Sequence, residues 1–297
     1  MKITLSDGGT LEGEDDCDPF NGYGIYTHPN GTWYEGEFKD GQRNGHGVMA
    51  FPNGSRYEGE WVGGKRHGRG LCTPKSSIIP REQHWIESHF ESGPFGRVRY
   101  DGEWKDDKKN GQGVEVRSDG TRLRGVWSNG LKKGSFEITS PNGNIYFGTI
   151  AWLPPHGQGV MTYPDGRQYS GGWVQGQYKG SGAVTFKDGT VFRSEWPLRE
   201  RGPCILKTGV LFQSNGEVFS GKSEVLVPIF SNLLSIRYSG DWVGGKPCGQ
   251  GAINIIYPDG HSNDYGSYEG GFKEGAPHGY GTTSTYKGEW RDGKRHG

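Results

Sequence analysis

Polar and apolar positions alternate with a period of two along short runs of this chain. Tyr57, Gly59 and Trp61 fall on one side of such a run, while Glu58 and Glu60 fall on the other. Gly157, Gly159, Met161 and Tyr163 share one side of a second kind of run. That spacing predicts half-buried β-strands, whose side chains point alternately to opposite faces. The runs are separated by two sorts of turn. Lys39-Asp40-Gly41, Val62-Gly63-Gly64 and Ser128-Asn129-Gly130 make up the first; Pro52-Asn53-Gly54, Pro164-Asp165-Gly166 and Lys187-Asp188-Gly189 make up the second. Asn-Gly and Asp-Gly between aromatic-rich runs predict hairpins, because the tight turns joining antiparallel strands need positive φ. Sustained helical periodicity is missing. Pro80 to Phe90, with Ile86 and Phe90 four apart, fits either a short helix or a longer strand.

The strand pairs recur. Tyr34-Glu-Gly-Glu-Phe returns in related form at Tyr57, Tyr100, Tyr169, Tyr238, Tyr268 and Tyr286, with degenerate copies at Leu11, Leu123, Tyr146, Phe192 and Phe219. The starts 11, 34 and 57 lie 23 residues apart, as do those from 100 to 192. The step from 57 to 100 carries an insertion of 20 residues within 71–98, and spacing is irregular across 219–268. The whole of 1–297 therefore reads as one array of about twelve hairpins. A lone hairpin would not survive. Two or three buried rings contribute about 1.5–3 kcal/mol each, against about 1–2 kcal/mol of backbone entropy per ordered residue. Stacking gives every ring two neighbours, the arrangement of a solenoid, and glycines leave room for rings from the adjacent strand. In the insertion, Trp85 and Phe90 are expected to pack onto the sheet. Val225–Ile236, the most apolar stretch, is expected to bury as a cap.

Composition sharpens this picture. Glycine (55) and proline (16) make up about a quarter of the 297 residues, only 31% are hydrophobic, and mean hydropathy is -0.79. Such values alone suggest disorder. Aromatics at 13% and an even balance of 34 basic and 34 acidic side chains argue for order instead. No Gly-X-Y period supports a collagen. The four cysteines form no CxxC pair, and the first residues lack the apolar core of a signal peptide. Val225–Ile236 is too short to span a bilayer, which needs roughly 20 residues. The expectation is a cytoplasmic chain with reduced thiols, so the sequons at Asn30 and Asn53 are read as turns.

The Y-x-G-x-[WF] core, the following [DN]-G turn and the [HN]-G-x-G opening of the second strand (Asn44, His67, Asn110, His156, His278) resemble the MORN (membrane occupation and recognition nexus) repeats. The resemblance covers nearly the whole chain. It implies an all-β fold, an elongated, twisted, single-layer antiparallel sheet of consecutive β-hairpins. Two places depart from the pattern. Lys133-Gly134-Ser135-Phe136 lacks the second glycine, and Phe192-Arg193-Ser194-Glu195-Trp196 lacks the central one; uneven packing is expected there. Gly293–Gly297 stops midway through a repeat, which suggests that the natural protein continues past 297.

Catalytic motifs are lacking: no phosphate-binding GxxxxGK[ST], dinucleotide GxGxxG or G-x-S-x-G elbow occurs. A non-enzyme without cofactor or metal is expected. His67, His156, His278 and His296 share one repeat position and would stand too far apart to hold one metal. Carboxylate pairs such as Glu35/Glu37, Glu58/Glu60 and Asp101/Glu103 read as a solvated row. Two candidate surfaces remain. Tyr57, Trp61, Tyr100, Trp104, Tyr169 and Trp173 would line an aromatic groove receiving an amphipathic helix or extended peptide. Lys65, Arg66, Lys108, Lys109, Lys132 and Lys133 recur in phase and would align as a basic ridge for anionic phospholipid or an acidic partner. A pI near 7.1 disfavours nucleic acid. The resemblance implies a scaffold that binds partner proteins, with self-association and with cytoskeletal or membrane association among its forms. Two alternatives stay open: a phospholipid-binding adaptor, and an accessory region of an enzyme whose catalytic domain lies beyond 297.

Overall fold

A Tyr-x-Gly-x-Trp strand followed by two residues at positive φ has to reverse, and the chain does so at the expected places. Asp40-Gly41, Gly63-Gly64, Asn129-Gly130, Gln175-Gly176, Gly244-Gly245 and Glu274-Gly275 all hold positive φ at both positions. In the second kind of turn only the glycine does. The preceding Asn or Asp side chain there accepts from the backbone N–H two residues on, as Asn53 Oδ1 does from Ser55 N at 2.9 Å. Asn30 plays the same part toward Thr32, so both sequons are turns.

The computed structural model describes residues 2–13, 20–75, 98–150, 154–196, 210–228, 235–256 and 262–296. Trp85, Phe90, Cys17 and Cys204, with most of the insertion, lie outside them. Two compact units divide at Pro141.

The first unit, Met1–Pro141, holds β1 (Lys2–Thr4), β2 (Thr10–Gly13), β3 (Gly22–Thr27), β4 (Trp33–Lys39), β5 (Gln42–Ala50) and β6 (Arg56–Val62). It continues through β7 (Lys65–Thr73), β8 (Arg99–Lys105), β9 (Lys108–Val116), β10 (Arg122–Ser128) and β11 (Leu131–Thr139). Each strand from β1 to β11 pairs antiparallel with the next.

The second unit, Asn142–Gly297, begins with β12 (Ile145–Ile150), β13 (Pro155–Thr162), β14 (Gln168–Val174), β15 (Gln177–Thr185), β16 (Val191–Trp196) and β17 (Val210–Phe212). A further ladder follows: β18 (Gly221–Pro228), β19 (Ser235–Val243), β20 (Lys246–Ile256), β21 (Ser262–Lys273), β22 (Ala276–Thr282), β23 (Lys287–Arg291) and β24 (Lys294–Arg295). Val225 to Val227 pair in regular antiparallel register with Tyr238 to Ile236, so the backbone at the start of the apolar stretch forms a strand; residues 229–234, on which the expected cap falls, lie outside the described residues. Among the described residues no helix occurs.

Two kinds of rung alternate. Between hairpins the register is unbroken, as in Gly45↔Trp61 through Ala50↔Arg56. Within a hairpin it slips: Gly36 faces Gly47, but Phe38 faces Arg43. The N/H-G-x-G segment supplies the extra residues of this bulge, with Gly45 at φ 64 and Gly68 at φ 52. A Cβ on the second glycine of the motif has no room. On Gly47 it would fall 2.2 Å from the Tyr34 hydroxyl oxygen, and on Gly70 2.2 Å from that of Tyr57. The tyrosine ring therefore lies across its glycine, as the alternation pattern predicted.

Candidate partner-binding surface

Within each unit the rings lie in contact along one face. In the first unit Phe38, Tyr34, Trp61, Tyr57, Trp104, Tyr100, Trp127 and Phe136 touch in succession, edge to face, at centroid distances between 4.9 and 5.5 Å. Each tyrosine meets the tryptophan or phenylalanine of its own repeat and that of the next. T-shaped pairs add about 0.5–1.5 kcal/mol each beyond area burial. The polar atoms are satisfied too. Tyr34, Tyr57, Tyr100 and Tyr169 each donate their hydroxyl to the carbonyl three residues on, at 3.0 to 3.3 Å. Trp61, Trp104 and Trp173 donate Nε1 to the second-strand glycine carbonyl of the previous hairpin.

The expected aromatic groove is corrected by this arrangement. Tyr57, Tyr100 and Tyr169 are fully buried, and Trp61, Trp104 and Trp173 are at most 6% exposed. Their rings already face one another, so none is offered to a partner. Burial also pushes the phenols up, that of Tyr146 and of Tyr268 to about 12.

The basic ridge divides in two. Arg66, Lys109 and Lys132 stand directly across the hairpin from Trp61, Trp104 and Trp127, and Arg43 stands across from Phe38. All four belong to the ring-bearing face. Arg43 sits 4.6 Å from the Trp61 ring and Arg66 4.4 Å from that of Trp104, both within cation–π range. Arg66 also bonds Asp107 at 2.9 Å. Lys65 and Lys108 point outward at the turns, but the corresponding positions in the neighbouring hairpins hold Gln42 and Leu131. Lys133, also exposed, lies two places further along, opposite Val126. The in-phase ridge is thus two outward lysines: Arg66, Lys109 and Lys132 are paired on the ring-bearing face, and Lys133 is exposed but out of phase.

Glu115 was not singled out from the sequence. It stands in the column occupied elsewhere by Met49, Cys72, Ile138, Met161 and Val184, and is 5% exposed. Lys109 Nζ donates to its Oε2 at 2.8 Å, while Lys132 Nζ and Arg117 Nε lie 3.5 and 3.6 Å from Oε1. Burial opposes the charge, but the three cations outweigh it and hold the carboxyl below its ordinary range. A lone acid in an apolar column was the available signal. The outer carboxylates also differ from a plain solvated row. Glu37, Glu60 and Glu103 accept the bulge N–H of His46, Arg69 and Gln112 at 2.9 to 3.1 Å.

Among the described residues no group of three or more His, Cys, Asp or Glu is placed to hold a metal ion. Among them no helix is long and apolar enough to cross a membrane, a statement that leaves β-barrels aside. The MORN repeat family model matches residues 17–33, 34–56, 57–73, 100–122, 154–166, 169–191, 238–252, 268–284 and 286–297, together more than half of the chain. This chain belongs to the MORN repeat family.

The MORN repeat starting at Leu123 falls outside those matches, and the structure shows how it still fits. Leu123 replaces the tyrosine, and Phe136 replaces the glycine that the tyrosine would cover. Phe136 is fully buried, and a Cβ on Gly125 would fall 2.6 Å from its ring. The ring is supplied from the opposite strand, so the uneven packing expected here is avoided. At the other departure Ser194 pairs with Gly182 and is 8% exposed.

A comparison with curated proteins returns no match. Among solved structures, the TCP domain of Drosophila melanogaster SAS-4 (dCPAP), in complex with a proline-rich motif of Ana2 (dSTIL), is 12% identical. It covers 64% of this chain and 86% of that one, with a TM-score of 0.34. The wild-type TCP10 domain of Danio rerio CPAP is 17% identical over 74% of this chain and 97% of its own, with a TM-score of 0.32. At such scores the likeness carries no argument.

Proposed function

We propose that this MORN array is a non-catalytic scaffold that binds partner proteins through the fixed outer surface of its hairpins. One observation carries the reading: the ring row from Phe38 to Phe136 is locked by backbone bonds at almost every repeat. Such a body keeps its shape, and a preformed surface avoids the entropy of ordering on association. The partner is a protein segment, helical or extended, read by side chains outside the ring row.

The immobilised chain of residues 1–297 tests this. Specific protein partners should be retained by the native array and lost after heat unfolding, with capture unchanged by Lys65→Gln/Lys108→Gln. Retention equal to that of an unrelated β-solenoid overturns the reading. Salt-sensitive binding to phosphatidylserine vesicles, abolished by the two lysine changes, would favour the phospholipid adaptor instead. With only two outward lysines in phase, that binding is expected to be weak.

A further inference from the structure

The residue after the tyrosine position faces outward, and it is polar at Glu35, Glu58, Asp101, Arg124, Ser170 and Arg193. In β12 it is Phe147. This ring is 58% exposed, and Ile145 is exposed beside it on the same strand face. The ring-bearing side of β12 is already served by Tyr146, which is buried, so Phe147 adds nothing to the row.

Across the outer face Phe147 pairs with Val160, Val160 with Ser170, Ser170 with Ala183, Ala183 with Arg193, and Arg193 with Val210. The column thus runs from a large ring through small side chains and back to large ones. Over the small ones a groove of about 590 Å³ opens, lined by Ser170, Ala183, Arg193, Glu195, Val210 and Phe212 among others. Its walls are held in place within the chain. Arg193 lies 4.9 Å from the Phe212 ring, and Ser181 donates to Glu195.

Knob and groove share one face of one unit. From Phe147 to Ala183 is three strands, about 14 Å at the usual spacing. A ring that far along the same sheet does not reach the groove of its own chain. A two-fold axis parallel to the strands, passing between Val160 and Ser170, places Phe147 of each copy over Ala183 of the other. The face is therefore complementary to itself, which is what a two-fold interface requires.

We propose that two copies of this chain associate through the outer face of β12–β17, each seating Phe147 in the other's groove, over Ala183 and beside the Arg193 guanidinium. The two sheets then pack face to face with their strands nearly aligned. Six strands span only about 24 Å, so the interface is small and a Kd on the order of 10 μM is expected. Self-association needs no partner protein, so its failure leaves the scaffold function standing.

Sedimentation equilibrium of the chain of residues 1–297, from about 1 to 300 μM, tests this. Phe147→Ala empties both contacts of a symmetric dimer, and Ala183→Phe blocks both. At roughly tenfold per contact, each change should weaken association about a hundredfold. Carried together in one chain, the two changes exchange ring and groove. The double variant should therefore dimerise to within about tenfold of the wild type, and so should an equimolar mixture of the single variants. Ser170→Lys, at an exposed position beside the axis, should abolish association and decides the matter if Ala183→Phe does not fold. All these positions face outward, so melts at low concentration should be unchanged. A wild-type chain that stays monomeric throughout, undiminished association of Phe147→Ala or Ser170→Lys, or a folded double variant no better than the single ones overturns the proposal.

Discussion

Trp104 Nε1 donates to the carbonyl oxygen of Gly70 at 3.0 Å, so the first strand of one hairpin is bonded to the second strand of the hairpin before it. The indole also sits between the rings of Tyr57 and Tyr100. Trp104→Phe keeps most of the ring contact and removes the bond, for an expected loss of about 1 kcal/mol. Trp104→Ala opens the row at its middle, for about 3–5 kcal/mol. Urea unfolding of the two variants checks the separation. Equal losses would mean that the bond, not the ring, dominates.

The tyrosines give the fold an alkaline limit. Burial raises their phenols above the ordinary value of 10, to about 12 at Tyr146 and Tyr268, and further at Tyr57 and Tyr100. A folded pKa above the unfolded one stabilises fully below the unfolded value and ceases to as pH rises through the folded value. Phenolate absorbance should therefore rise late and cooperatively with unfolding, well above pH 10. Tyr57→Phe should reduce stability at neutral pH by about 1 kcal/mol, since the Glu60 carbonyl loses its donor.

At acid pH the sensitive group is Glu115. Its folded pKa lies below the ordinary 4.5, so its contribution is complete above that value and is lost as pH falls through the folded one. Glu115→Gln leaves Lys109, Lys132 and Arg117 without their acid. All three are less than a third exposed, and a loss of about 2–3 kcal/mol at neutral pH is expected. Stability of the variant should depend less on pH below 4.5, as followed by thermal melts across the acid range.

Leu123 and Phe136 should behave as a pair. Leu123→Tyr alone drives a ring into the space of Phe136, and Phe136→Gly alone leaves a cavity beside Trp127 and Gly125. Each is expected to lose about 2–4 kcal/mol. Together they rebuild the Tyr-over-Gly arrangement of Tyr100 and Gly113, so the double variant should recover most of the loss. Additive losses in a double-mutant cycle would refute the exchange.

Much of this was legible in the chain. Tyr57, Gly59 and Trp61 on one strand face, with Gly54 and Gly64 at the turns, specify hairpin, period and ring-over-glycine packing. What misled was treating a large exposed-looking aromatic as available. Strand alternation says which face Trp61 takes but not that Tyr34 and Arg43 will cover it, because cover comes from neighbouring repeats. The basic ridge failed for a related reason. Lys65 and Arg66 are adjacent in sequence and therefore point to opposite sides of the ribbon, one to solvent and one over Trp104. Glu115 was visible as a single acid among Met49, Cys72 and Val184, yet its three cations come from separate places in the chain.

The pairing of Cys72 with Tyr100 repeats that of Met49 with Tyr57, although Arg99 follows Thr73 by 26 positions where Arg56 follows Ala50 by six. Long closures add little, since each doubling of a loop costs about 0.6 kcal/mol. The turn that ends a hairpin is thus a port: chain of almost any length can leave and re-enter there while the strands on either side keep their addresses. An array built this way can acquire cargo one turn at a time, without redesign of what lies beneath.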